Sequence, residues 1–104
     1  MNLPIYDDLW KRFAQVGQRY TYLSSSNASD FRKSNPYEVV AVKDDVVYSR
    51  SLAPDYIDWT TKHPSPTFRM DFVDGDYYKI NALVIDMNTF AHTGISEVQV
   101  FTLL

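Results

Sequence analysis

The first apolar pattern along the chain is helical. Ile5, Leu9, Phe13, Val16 and Tyr20 recur at steps of four, four, three and four, which places them on one side of an α-helix. Pro4 suits a first helical position, and Asp7 and Asp8 complement the positive end of a helix dipole. Asp7 with Lys11 and Asp8 with Arg12 are spaced as i,i+4 ion pairs on a solvent side. The pattern predicts one amphipathic helix over about residues 4–21, with Gly17 weakening its last turn. Trp10 sits one position round from Leu9. It either widens the buried stripe or stands on the surface as a contact.

Residues 24–36 are rich in Ser, Asn and Asp and read as a loop. Phe31 lies inside it, as a plug over the core or as a point of contact. From Tyr37 onward the period becomes two. Strands are predicted over 37–42 and 46–52, joined at Lys43-Asp44-Asp45, and then over 67–73, where Phe68, Met70 and Phe72 alternate with Arg69 and Asp71. Asp74-Gly75 is a strong hairpin signal and predicts a returning strand over 77–86. Residues 87–94 read as a further loop. The last strand is predicted over 95–104, with Val98, Val100, Thr102 and Leu104 on one face.

These elements predict a single α+β domain over residues 1–104. One N-terminal amphipathic helix packs on a curved antiparallel sheet of about five strands. A helix of this length covers only part of such a sheet, so the sheet is expected to curl round it or to close partly into a barrel. The last strand ends on Leu103-Leu104 and is expected to lie centrally or beneath a second chain, because open apolar edges promote association.

Composition narrows the chemistry. The 104 residues contain no cysteine, which excludes disulfides, thiolate catalysis and cysteine-ligated metals. The first residues resemble no secretory signal and no apolar run is long enough for a bilayer, so a cytoplasmic protein is expected. Ten Lys and Arg against 13 Asp and Glu leave a net charge of −3, which disfavours a binder of phosphate backbones. Arg32-Lys33 is the one basic couple outside the helix, so nucleic acid is not an expected partner. Eleven of the acidic residues are Asp, a residue that favours turns and helix starts.

Most motifs that carry chemistry are missing. Asp71, Asp74 and Asp76 surround Gly75 but lack the alternating ligands and late Glu of a calcium loop. His63 and His92 have no metal-spaced partner and read as solvent-exposed loop histidines. The three glycines are too far apart to cradle a phosphate, and no serine has a nucleophile-elbow context. Asp58, Asp71 and Asp86 are the carboxylates to inspect for acid–base work. No metal site and no cofactor are expected.

The stretch that most resembles a contact surface is 53–66. It is long for a connection, holds three prolines and carries Tyr56, Ile57 and Trp59, with one helical turn expected after Pro54. These rings either fold back to cap the sheet or are presented outward. The leading expectation is a non-catalytic protein-binding module that docks on a larger protein through Tyr56, Trp59, Trp10 and Phe31. By compositional likeness alone it is a small stand-alone inhibitor, of the immunity-protein or phage-encoded anti-defence kind. The alternative is a virion or tail assembly subunit whose C-terminal strand completes a neighbour's sheet. The third is a small-molecule or enzymatic site within the curved sheet, lined by Tyr, Asp and His.

Overall fold

A computed structural model describes residues 4–24, 35–69, 82–93 and 98–104. In chain order these form α1 (Pro4–Phe13), β1 (Arg19–Ser24), β2 (Pro36–Lys43), β3 (Val46–Ser51), α2 (Ile57–Lys62), β4 (Ser65–Phe68), β5 (Ala82–Val84), β6 (Thr89–Thr93) and β7 (Val98–Leu103). The seven strands make one sheet in the order β4-β3-β2-β1-β7-β6-β5. Every neighbouring pair is antiparallel. The architecture is α+β, as expected, with two helices. The sheet is open, with β4 and β5 at its edges, rather than a partly closed barrel.

The first helix is shorter than its periodicity predicts. It ends at Phe13, and the residues expected to complete it turn the chain into β1. Gly17 adopts φ +94°, a left-handed conformation that favours glycine. Its N–H donates to the Val39 carbonyl at 2.9 Å, and Val39 N–H donates to the Gln18 carbonyl at 2.9 Å, so the turn is docked on β2. Val16, predicted on the helical stripe, is 69% exposed, whereas Tyr20 is buried as a strand residue. The helical spacing of Tyr20 was coincidental. The alternation of Arg19, Tyr20, Thr21 and Tyr22 is the strand signal that competed with it.

Other boundaries shift too. The β2–β3 hairpin is found, with Asp44 at φ 54° in its two-residue turn. The strand expected over 67–73 is β4, which begins at Ser65 and ends at Phe68; residues 70–73 lie outside the described residues, as do Asp74-Gly75. The strand expected over 77–86 is β5 where it is described, and Ile85 and Asp86 already belong to the turn. The loop expected over 87–94 contains β6. In β7 the inward face is not that of Val98, Val100 and Thr102: Phe101 and Leu103 are buried and Leu104 is exposed. The rings available to pack on α1 decide that parity.

The helix-facing side of the sheet follows from the register. Tyr20 lies opposite both Tyr37 and Leu103, and Phe101 lies opposite both Tyr22 and Phe90. Tyr6, Leu9, Trp10 and Phe13 of α1 pack with Tyr20, Val39, Val47, Phe90, Phe101 and Leu103 in one core. Phe13 is the centre of the ring contacts, with centroids 4.8 Å from Tyr20, 5.4 Å from Phe101 and 5.5 Å from Phe90. A register irregularity between Val39 and Ala41 bends β2, as β-bulges do.

The helix is gripped from both ends of the sheet. Arg69, just past edge strand β4, pairs with Asp7 and lays its guanidinium 5.6 Å from the Tyr6 ring centroid. At the other end, Arg12 donates to the Met87 carbonyl at 2.6 Å and to Asn88 Oδ1 at 2.7 Å, in the β5–β6 turn. Asp7 and Arg12, expected in solvent-side pairs with Lys11 and Asp8, are thus engaged with the sheet instead. The C-terminal strand β7 lies centrally, paired to β1 and β6, so neither of its edges is free. No helix among the described residues is long and apolar enough to cross a membrane.

His92 is not the solvent-exposed loop residue expected. It is 2% exposed on β6, ringed by Phe101, Phe90, Tyr6 and Trp10 at centroid distances of 5.2–6.2 Å. The Tyr6 hydroxyl reaches its Nδ1 at 3.5 Å. Burial lowers its pKa from 6.5 to about 4, because an imidazolium there would lose its hydration. The unfolded chain therefore takes up a proton near pH 6.5 that the folded chain refuses until about pH 4. Stability is complete above pH 6.5 and falls as pH drops towards 4, by on the order of 3 kcal/mol in total. Glu38, whose pKa is lowered chiefly by the Arg50 hydrogen bond, acts in the same direction only below its ordinary range near 4.5. Urea unfolding at pH 7 and pH 5 is expected to show this loss in the wild type and a much flatter profile in His92→Phe; equal slopes for the two would refute the assignment.

Candidate functional site: an exposed aromatic face on the second helix

Strand β4 pairs with β3 only from Val46 to Ser49. Beyond Ser49 the outer edge of β3 needs another partner for its backbone groups, and α2 fills the place. Thr60 Oγ1 accepts the Ser51 N–H at 2.9 Å and donates to the Tyr56 carbonyl at 2.7 Å. Thr61 Oγ1 donates to the Ile57 carbonyl at 2.6 Å, and Arg50 Nη1 approaches Thr61 Oγ1 at 3.5 Å. Arg50 also donates to Glu38 at 2.8 Å, and Arg19 reaches the same carboxylate at 3.3 Å. At the helix start, the Tyr56 and Ile57 N–H groups both donate to the Ala53 carbonyl.

A six-residue helix has little stability of its own. None of the residues of α2 is buried, so packing does not supply the deficit. The two threonines and the Ala53 carbonyl hold it instead. With one side of the helix committed to the sheet edge, Tyr56, Trp59 and His63 fall on another at i, i+3 and i+7. Tyr56 is 62% exposed and Trp59 63% exposed. The His63 ring lies 4.8 Å from the Trp59 ring at an interplanar angle of 37°, and it too is exposed. Asp55 and Asp58 are exposed along the same segment, followed by Lys62.

The four residues expected to form the contact surface are not all together. Tyr56, at the start of α2, and Trp59, within it, are both exposed. Trp10 is 4% exposed and packs between Tyr6 and Phe13, so it widens the buried stripe and offers no surface anchor. Phe31 lies outside the described residues. His63 joins the surface, which its spacing of four from Trp59 allowed but did not require. Among the carboxylates considered for acid–base work, Asp58 is exposed, Asp86 is exposed and accepts the Asn88 N–H at 2.7 Å, and Asp71 lies outside the described residues. No group of three His, Cys, Asp or Glu side chains that could hold a metal occurs among the described residues.

No protein-family model, no curated protein and no solved structure matches this chain.

The hold of Thr60 on β3 is testable. Thr60→Val keeps the shape and removes the acceptor, leaving the Ser51 N–H, in a residue only 4% exposed, without it. An orphaned buried N–H costs about 1–3 kcal/mol. Hydrogen exchange at Ser51 and through α2 is expected to quicken by about tenfold or more, with little change at Phe90 or Phe101. Unchanged exchange at Ser51 would mean that α2 is held by something else.

Proposed function

We propose that the protein is a non-catalytic binding module that docks on a larger protein through the Tyr56–Trp59–His63 face of α2, acting as a small stand-alone inhibitor. The observation that carries this reading is the exposure of two large aromatic side chains, one on and one at the start of a helix that buries no residue of its own yet is pinned to a sheet edge. An indole left mostly in water contributes little to this fold. On a fixed helix it is available to a partner with little ordering cost. Trp and Tyr are also the residues that most often dominate binding energy at protein interfaces.

The chemistry of the partner follows from the neighbours of these rings. Asp55 and Asp58 flank them in a chain of net charge −3. The matching surface is an apolar slot for Trp59 with Lys or Arg on its rim, an arrangement in which charge favours encounter and orientation. The alternative of an assembly subunit that donates its C-terminal strand gains no support, because both edges of β7 are already paired.

Trp59→Ala separates a docking role from a structural one. Capture from source-cell lysate with tagged wild type is expected to retain one stoichiometric partner. The variant is expected to lose that partner by about 30-fold or more in affinity, as for a hot-spot residue, while its melting temperature stays within about 2 °C. Retention of the same partner by a folded variant, or collapse of the fold on substitution, would defeat the proposal.

A further inference from the structure

The curved sheet leaves a second feature, which shares no residue with the α2 face. Helix α1 ends at Phe13, whose ring covers Tyr20 and Phe101. Beyond that point a cavity of about 180 Å³ opens between the sheet face and the start of β4. Four aromatic side chains line it in a closed circuit of contacts. Tyr20 stacks on Tyr37 at 5.7 Å, Tyr37 meets Tyr22 edge to face at 5.9 Å, Tyr22 meets Phe101 at 5.1 Å, and Phe101 returns to Tyr20 at 5.8 Å. Tyr20 and Phe101 are buried, whereas Tyr22 and Tyr37 are half-buried. The remaining polar lining comes from Ser65 and Thr67 of β4 and Gln99 of β7.

We infer that this cavity is a binding site for one uncharged heteroaromatic ring of pyrimidine size, stacked on the half-buried Tyr22 and Tyr37 and paired through an amide-like edge with Gln99. Size sets the first limit. A cavity of about 150 Å³ takes one benzene ring, so this one has room within it for a single ring with small substituents. Charge sets the next. Among the described residues, no Asp, Glu, Lys, Arg or His lines the cavity. Glu38, in the adjoining strand, lies opposite Arg19 and Arg50 in the register next to the Tyr37 position, hence on the other face of the sheet. A cation would therefore stack on aromatic rings without a counter-charge, and an anion would have no cationic partner. Burial raises the Tyr20 phenol well above its ordinary pKa, so it too remains neutral.

Gln99 then selects among neutral rings. Its amide offers a donor and an acceptor side by side, which match a ring bearing adjacent N–H and C=O groups. A pyrimidine base has that edge, and phenol does not. The Ser65 and Thr67 hydroxyls can serve either a donor or an acceptor on the remaining substituent. The ring occurs both as a free base and as the base of a nucleotide, and the two sources differ only in what projects from the cavity.

The test is a titration of the full chain followed by amide chemical shifts, with uracil, uridine monophosphate, phenol and choline as probes. Uracil or its nucleotide is expected to give saturable shifts at Tyr22, Tyr37, Thr67 and Gln99, and choline none. Nucleotide binding tighter than uracil by about tenfold or more assigns the base within a nucleotide, and equal or weaker binding assigns the free base. Gln99→Leu is expected to weaken uracil by about tenfold and to leave phenol within about twofold. Thr67→Phe, which fills the cavity, is expected to abolish both, and the Gln99→Leu comparison stands even if that variant does not fold. Three results would overturn the inference: no saturable shift with uracil or its nucleotide, saturation by choline at these residues, or equal weakening of uracil and phenol in Gln99→Leu.

Discussion

The insertion of one phenylalanine into a concave sheet organises this protein. Phe13 meets rings from β1, β6 and β7 at once, and no other residue of α1 has that reach. Aromatic pairs at such distances each add to the burial they accompany. The sheet must also curve, since the segment beyond β4 and the β5–β6 turn both reach one ten-residue helix. Curvature in turn brings the two ends of the sheet to the two ends of the helix, where Arg69 and Arg12 take hold. Among the described residues, one helix of ten residues packs on this face of the seven-stranded sheet and covers only part of it.

That asymmetry accounts for the cavity. The rings under Phe13 are covered, and among the described residues no helix lies over the tyrosines beyond it. They form their own circuit of contacts and meet β4 across a gap instead. Tyrosine suits the position, since its ring packs on the core while its polar tip tolerates a partly open site. At the other extreme, His92 sits where coverage is complete. Its imidazole is held neutral by the same desolvation that holds the Tyr20 phenol neutral, so one physical cause acts on an acid and a base in opposite directions of pKa.

The α2 face follows a different rule. It depends on hydrogen bonds rather than on buried area, because β4 stops short of the end of β3 and leaves backbone groups to be satisfied. Thr60 supplies the missing partner. A helix fixed by its hydroxyls has no need of its aromatic rings for packing, and so they remain outside.

The α+β class, the helix start at Pro4, the β2–β3 hairpin and the presence of an aromatic segment near residue 56 were legible in the chain, because each rests on local periodicity or turn chemistry. The end of α1 and the existence of β1 and β6 were not legible. Tyr20 fits both a helical and a strand period, and Thr89-Phe90-Ala91-His92-Thr93 is too short and too polar to declare itself. The inward face of β7 depended on which ring could meet Phe13. Trp59 and Trp10 are the same residue type in equally suggestive places, yet one is exposed and the other is core. Only the tertiary structure could decide between them, since burial is a property of what lies opposite, and that partner is distant in the chain.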